Sequence, residues 1–167
     1  MNTQQNKEQF IDIIRRNKKL IYKVCNSYCR DAADRQDLVQ EVIIRLWQAF
    51  DKYDERYKLS TWMYRIALNT AISHYRSGKR RNEATIPLSE HLIDIADDNL
   101  ETELDERVKQ LYTFINQLDE LNRALMILYL DDNSYREIAE VLGITETNVA
   151  TRIGRVKQNL KQQFAKI

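Results

Sequence analysis

The chain has 167 residues, 43% of them hydrophobic and 31% charged, with 26 Lys and Arg against 25 Asp and Glu for a net charge of +1. That length supports one or two compact domains with an ordinary core, and it is too short for a large enzyme. Three glycines and one proline are too few turn residues for a sandwich, a barrel or a doubly wound sheet, and Gly78, Gly143 and Gly154 lie too far apart for a phosphate loop, so an all-α, non-catalytic chain without cofactor is expected.

Met1 to Phe10 has no apolar run leading to a small-residue cleavage site, so no secretory signal is expected and the cytoplasm is the default compartment. In the first strongly apolar segment, Cys25 and Cys29 fall four residues apart on a predicted helix. Such a pair could bind zinc or form a redox couple, but Ile21, Val24, Tyr28 and the cysteines also make one buried stripe. No His or further Cys nearby completes a tetrahedral shell, so the core reading is adopted, in keeping with a reducing interior.

The next predicted helix runs from Asp37 to Trp47, with Leu38, Val42 and Leu46 on its apolar stripe. Asp37, Gln40 and Glu41 form a polar face of the same helix, and such faces are usually only solvated. Further on, Leu59 to Arg76 combines Trp62, Tyr64 and Tyr75 with Asn69, Thr70 and Ser73, carries Arg65 and Arg76, and runs into Lys79, Arg80 and Arg81. Aromatics interleaved with cations suit single-stranded nucleic acid, because bases stack on rings while cations follow the phosphates. The plainer alternative makes Trp62, Met63 and Ile66 core and the basic tail a solvated helix end, and for Trp62 taken alone core is the better reading. This segment also holds the longest stretch without Asp, Glu, Lys or Arg, ten residues from Ile66 to Tyr75. A bilayer needs roughly 18 to 20 apolar residues, so no stable membrane insertion is expected. His74 is too far from His91, the other histidine, for a paired-histidine zinc site.

Charge then changes sign. Residues 1–81 carry 17 Lys and Arg against nine Asp and Glu, residues 82–120 carry two against 11, and residues 121–167 carry seven against five. A basic block followed by an acidic one suggests a polyanion-binding domain and then a spacer that polyanions repel. Asn82 to Glu106 has nine acids, no Lys or Arg, the only proline, Pro87, and no sustained helical apolar stripe. Residues 82–105 are therefore read as an acidic flexible linker, either a solvated connection or a strand competing for a basic groove.

Leu111, Phe114, Ile115, Leu118, Leu121, Leu125, Leu128 and Tyr129 recur at three- and four-residue steps, supplying the supporting helices that a bare helix-turn-helix needs to bury its apolar face. Ser134 can cap a helix and Glu137 can close a capping box. Ile138, Ala139 and Leu142 give that helix a buried face, Gly143 permits the left-handed turn that ends it, and Thr145 caps the next. The spacing describes a helix-turn-helix within a C-terminal domain of residues 106–167. On its second helix Val149, Ile153, Val156 and Leu160 keep to the core side. Glu146, Thr147, Asn148, Thr151, Arg152 and Arg155 remain for base edges and phosphates in a major groove, the plainer alternative being two helices that merely pack.

Taken together, Asp37-Leu-Val-Gln40-Glu41 with Trp47, Ser60-Thr-Trp-Met-Tyr-Arg-Ile-Ala67, and Tyr135-Arg-Glu-Ile-Ala-Glu-Val-Leu-Gly-Ile144 with its following helix resemble, in order and spacing, the bacterial RNA polymerase sigma factors of the extracytoplasmic-function group of the sigma-70 family. The resemblance covers most of the chain. It implies a transcription initiation subunit that binds core RNA polymerase, recognises minus-35 and minus-10 promoter elements and promotes DNA melting, while polymerase supplies the catalytic metal ions. Asp37, Gln40 and Glu41 would dock on the clamp helices of the largest core subunit. Trp62, Arg65, Asn69, Ser73, Arg76, Lys79, Arg80 and Arg81 in residues 1–81 would hold the unpaired minus-10 strand, with Asn69 matching a position associated with capture of a flipped base. Glu146, Thr147, Asn148, Thr151, Arg152 and Arg155 would read the minus-35 duplex, and the C-terminal domain would rest on the flap of the second large subunit. An inhibitory anti-sigma factor is the further partner implied.

Four residues depart from the family pattern. Leu68, Ala150 and Gly154 stand where relatives often carry a basic, a basic and an aromatic or imidazole residue, and Asp119 replaces a frequent proline. The losses at Ala150 and Gly154 remove two contacts from the reading helix, so a familiar minus-35 sequence is not assumed. A duplex-binding regulator acting without polymerase, and a helical adapter without a DNA role, stay open as alternatives.

Overall fold

The structure, a computed structural model, describes residues 3–77 and 106–166. Lys79, Arg80, Arg81 and the linker of residues 82–105 lie outside the described residues, so the expectations placed on them are not addressed by it. The described residues fall into two compact units, one within Met1–Thr102 and the other within Glu103–Ile167. Eight helices and no strand occur among the described residues, in agreement with the all-α expectation.

The N-terminal unit contains α1 (Thr3–Arg16), α2 (Lys18–Tyr28), α3 (Ala32–Phe50) and α4 (Leu59–Arg76). α2, α3 and α4 pack against one another, and α1 packs against α2 and α3. Leu38, Val39, Val42, Ile43 and Leu46 of α3 are fully buried, as the apolar stripe requires, against Met63, Tyr64, Ala67, Leu68 and Ala71 of α4 and Ile21, Val24 and Cys25 of α2. Truncating any one of the large members of such a core costs about 2 to 5 kcal/mol. Phe10 of α1 closes the core between Trp47 and Phe50, its ring centroid 5.0 Å and 5.4 Å from theirs. Cys25 and Cys29 are both buried free thiols, which agrees with the core reading of that pair. Leu68, read from sequence as a departure from a basic residue, is also core, where an apolar side chain packs without a desolvation cost.

α3 starts where Asp31 accepts the Asp34 amide at 3.2 Å, a side-chain cap on an otherwise orphaned donor. Between α3 and α4 the Arg56 guanidinium folds back onto Asp54, with Nη2 2.6 Å from Oδ2. That bond holds the Asp54 carboxyl below, and the Arg56 guanidinium above, their ordinary titration ranges.

The C-terminal unit contains α5 (Glu106–Asn116), α6 (Glu120–Leu130), α7 (Tyr135–Leu142) and α8 (Glu146–Ala165). Ile115, Met126 and Val156 bring α5, α6 and α8 together, with Leu111, Phe114, Leu118 and Tyr129 packed around them. Arg123 is buried at the α5–α6 corner, where Nη2 donates to the carbonyls of Asn116 at 2.8 Å and Leu118 at 3.0 Å. Those carbonyls lie at the C-terminal end of α5, where helical partners run out. Asp119 accepts the Asn122 amide at 3.0 Å and caps α6, so the residue standing in for proline starts a helix by another device.

α6 ends in a turn through Asp132, at φ 60°, where the Asn133 side chain donates to the Leu128 carbonyl at 2.9 Å. Ser134 then caps α7 by accepting the Glu137 amide at 3.1 Å. The return bond of the expected capping box differs: the Ser134 hydroxyl donates to Glu137 Oε1 at 3.2 Å. Gly143 ends α7 at φ 70°, the left-handed turn anticipated for it. The buried face of α7 is rotated from the expected one, with Ile138, Ala139 and Val141 buried and Leu142 half-buried.

Candidate nucleic-acid interfaces

Two helix surfaces carry the chemistry. On α4, Trp62, Arg65, Asn69, Ser73 and Arg76 follow one another at steps of three and four, which aligns them along one face of the helix. Because Met63, Tyr64, Ala67, Leu68, Thr70 and Ala71 take the buried side, the stripe faces outward over about 21 Å of helix. Arg65, Asn69, Ser73 and Arg76 are exposed. Trp62 is half-buried, its ring centroid 4.8 Å from that of Tyr53, and Ile66 is also half-buried, so of the three residues considered for the core only Met63 belongs to it fully. Thr70, grouped with the polar residues from sequence, is buried and donates to the Ile66 carbonyl at 2.7 Å.

The polar face of α3 is less uniform than its spacing suggests. Asp37 is exposed and Gln40 is half-buried. Glu41 is drawn into the unit, with Oε1 3.5 Å from Arg45 Nη2 and Oε2 3.7 Å from Nδ1 of His74 on α4. The other ring nitrogen of His74 is buried and has no hydrogen-bond partner among the described residues. His74 was not among the residues expected to matter, and nothing in helical periodicity links it to a carboxylate 33 positions earlier.

α8 begins at Thr145, which accepts the Asn148 amide at 3.1 Å, and Glu146 sits in the first turn, where a negative charge complements the helix dipole. Val149, Ile153 and Val156 are buried as expected, and Leu160 is half-buried. Glu146, Thr147, Thr151 and Arg155 are exposed together with Ala150 and Gly154, so these share the outward face. A Cβ added at Gly154 meets nothing within 4 Å among the described residues. Asn148 and Arg152 sit differently: both are half-buried, and Arg152 Nε donates to Asn148 Oδ1 at 2.9 Å. Arg152 Nη1 donates to Asn122 Oδ1 of α6 at 3.4 Å. Two of the six expected readers are therefore tied to each other and to the supporting helix. Beyond them Lys157 Nζ stands 4.4 Å from the centre of the Tyr129 ring, a cation held on the α6 side of the helix.

No group of three or more His, Cys, Asp or Glu side chains able to hold a metal occurs among the described residues. No helix of the described residues is long and apolar enough to cross a membrane.

The chain matches the family described as Sigma-70 region 2 over residues 13–81 and that described as Sigma-70, region 4 over residues 109–160. It is 30% identical over 169 residues to the ECF RNA polymerase sigma factor SigW of Bacillus subtilis (strain 168), an alignment covering 94% of this chain and 89% of that protein. It is 29% identical over 148 residues to the ECF RNA polymerase sigma factor SigM of the same organism, covering 86% and 88%. Among solved structures it is similar to CnrH in complex with the cytosolic domain of CnrY, with a TM-score of 0.69, 22% identity and coverage of 97% and 94%. It is also similar to the sigma factor RpoE in complex with the anti-sigma factor NepR from Bartonella quintana, with a TM-score of 0.71, 18% identity and coverage of 95% and 98%. At such identities the structural likeness concerns the fold.

Proposed function

The chain belongs to the sigma-70 family, in its extracytoplasmic-function group, and from that premise we propose how its residues divide the work of a sigma factor acting with RNA polymerase. Residues 1–81 bind the core enzyme and the melted minus-10 element, residues 82–105 connect, and residues 106–167 read the minus-35 duplex. The reading is carried by the outward stripe of α4, where a half-buried tryptophan, two arginines, Asn69 and Ser73 lie along one face of a helix anchored by its other side. Separating base pairs costs stacking energy, and a surface offering ring stacking with cationic backbone contacts stabilises the open strand over the duplex. Asn69 takes a flipped base, with Arg65 and Arg76 on the phosphates and Lys79, Arg80 and Arg81 continuing the cationic track.

Asp37 and Gln40 meet the clamp helices of the largest core subunit, with Glu41 at the edge of that contact, held by Arg45 and His74. In the C-terminal unit Thr147, Thr151 and Arg155 enter the major groove, Glu146 sits at the mouth of the helix, and Arg152 with Asn148 meets the backbone. The same unit rests on the flap of the second large subunit. An anti-sigma factor is a further partner, since both structural neighbours are complexes and one is named for such a protein. The site of action is cytoplasmic, and the chain performs no catalysis of its own.

Co-purification with core polymerase followed by transcription from a randomised promoter pool tests this. Stable holoenzyme and enrichment of paired upstream and downstream elements are expected. Duplex binding without core association would instead identify a regulator that acts apart from polymerase.

A further inference from the structure

The Arg152 guanidinium meets amide oxygens from two different helices, closely at one end and at a longer distance at the other. Nε donates to Asn148 Oδ1 at 2.9 Å and Nη1 donates to Asn122 Oδ1 at 3.4 Å. The two amides are themselves placed alike. Asn122 gives its backbone N–H to the Asp119 cap of α6 at 3.0 Å, and Asn148 gives its backbone N–H to the Thr145 cap of α8 at 3.1 Å. Each is the third residue of its helix, set by a capping bond that is independent of its side chain.

A guanidinium has five N–H donors, so these two bonds leave both donors on Nη2 and one on Nη1 for an anion. Neutral amides hold the cation without neutralising it, whereas a carboxylate in either place would compete with phosphate. An arginine on an exposed helix otherwise loses several rotatable bonds on meeting DNA, and immobilising a rotamer-rich side chain costs about 0.5 to 1.5 kcal/mol.

We infer that Asn122 is a positioning residue for duplex recognition: a side chain on the supporting helix that, with Asn148, presets the Arg152 guanidinium for a phosphate of the minus-35 duplex. The inference rests on α8 being the duplex-reading helix. It assigns a recognition role to α6, which contributes no residue to the outward face of α8. It also separates the two arginines: Arg152 is preset by α6, and Arg155 is not.

The test uses the full chain assembled with core polymerase, on a promoter duplex selected from the randomised pool and carrying a pre-melted minus-10 bubble, so that the minus-10 contribution is common to all variants and differences in affinity report the minus-35 contact. Asn122→Ala, Arg152→Ala, their double variant and Arg155→Ala are compared for affinity, salt dependence and thermal unfolding. Asn122→Ala should weaken binding about two- to tenfold, the range set by the cost of one ordered side chain. Its melting temperature should hold, because the cap on its backbone N–H is intact and alanine favours helix. In the Arg152→Ala background the same change should have no further effect.

If Arg152→Ala weakens binding and Asn122→Ala does not, or if the two effects add, the positioning role is overturned while α8 remains the reader. If Arg152→Ala and Arg155→Ala are both silent, the assignment of α8 itself is overturned. Asn122→Asp guards against a folding defect: it keeps the shape and the acceptor oxygen, so it should fold normally. It should bind DNA less well when Arg152 is present, and lose most of that deficit in the Arg152→Ala background. An equal deficit in both backgrounds would refute the positioning role.

Discussion

Asn69→Ala separates a base reader from a structural amide, because the structure sets the two contributions far apart. The side chain is exposed near the middle of α4, and its amide bonds to no other described residue. A buried, hydrogen-bonded asparagine would cost about 1 to 3 kcal/mol on truncation through its abandoned partner. Here no partner is abandoned, and alanine gains up to about 0.7 kcal/mol of helix propensity. For a unit of this size that corresponds to a melting temperature unchanged or raised by about 2 to 5 °C. If the amide pairs with the edge of a flipped base, losing it removes about 1 to 3 kcal/mol of discrimination, or roughly 5- to 150-fold at one position. The assay is open-complex formation by reconstituted holoenzyme on a library randomised through the minus-10 element, sequenced in bound and free fractions. Tolerance should appear at a single non-template base, while binding to a pre-melted bubble falls modestly because stacking and phosphate contacts persist. A collapse of thermal stability, or a base preference unchanged across the library, would refute the role given to Asn69.

Replacing Asp37 and Gln40 by Lys, which reverses one charge and adds another, should weaken holoenzyme assembly by about tenfold or more, with helical content and melting unchanged, since neither side chain belongs to the core; gel filtration with unaltered holoenzyme would count against the docking face. Gly154→Ala should stabilise the C-terminal unit by about 1 kcal/mol, read as a rise of about 4 to 8 °C in its transition, because the new methyl meets no neighbour. No shift, or a fall, would mean that Gly154 is held in a conformation alanine resists. Burial pushes the Cys25 thiol well above its ordinary range, with Cys29 adding to the rise and Arg35 offsetting part of it. Folding therefore favours the protonated thiol: its contribution to stability is intact below about pH 8.5 and is lost as pH rises through the higher folded value. Iodoacetamide at pH 8 should accordingly label Cys25 only as fast as the unit opens, and labelling at the rate of a free thiol would contradict its burial.

What was legible in the sequence was local. Ser134, Gly143 and Thr145 announce the helix-turn-helix because a cap or a left-handed residue acts within four positions of itself, and each does in the structure what its type allows. The stripe of Leu38, Val42 and Leu46 is likewise a matter of helical period. Within that range the reading still slipped by one residue on α7, where Val141 rather than Leu142 is fully buried; both are apolar, and the period alone cannot rank adjacent candidates at the edge of a face. Beyond that range it missed the ties of Glu41 to His74 and of Arg152 to Asn122, which join residues 33 and 30 positions apart through packing that no single helix encodes. Asp119 was visible only as a missing proline, although an aspartate before a helix is also a cap.

On the proposed reading, the residues of α8 that hold the fold and those offered to DNA are largely different, Arg152 and Asn148 being the pair that is also tied into the structure. Val149, Ile153 and Val156 hold the helix in place, whereas Thr147, Ala150, Thr151, Gly154 and Arg155 stand in solvent. Apart from the mid-helix glycine, substitutions at such exposed positions usually change stability by less than about 0.5 kcal/mol. If these residues set the promoter address, that address can change by point substitutions that selection on folding hardly sees. Ala150 and Gly154 leave two bare positions on that face, where larger side chains could be added without meeting a described neighbour.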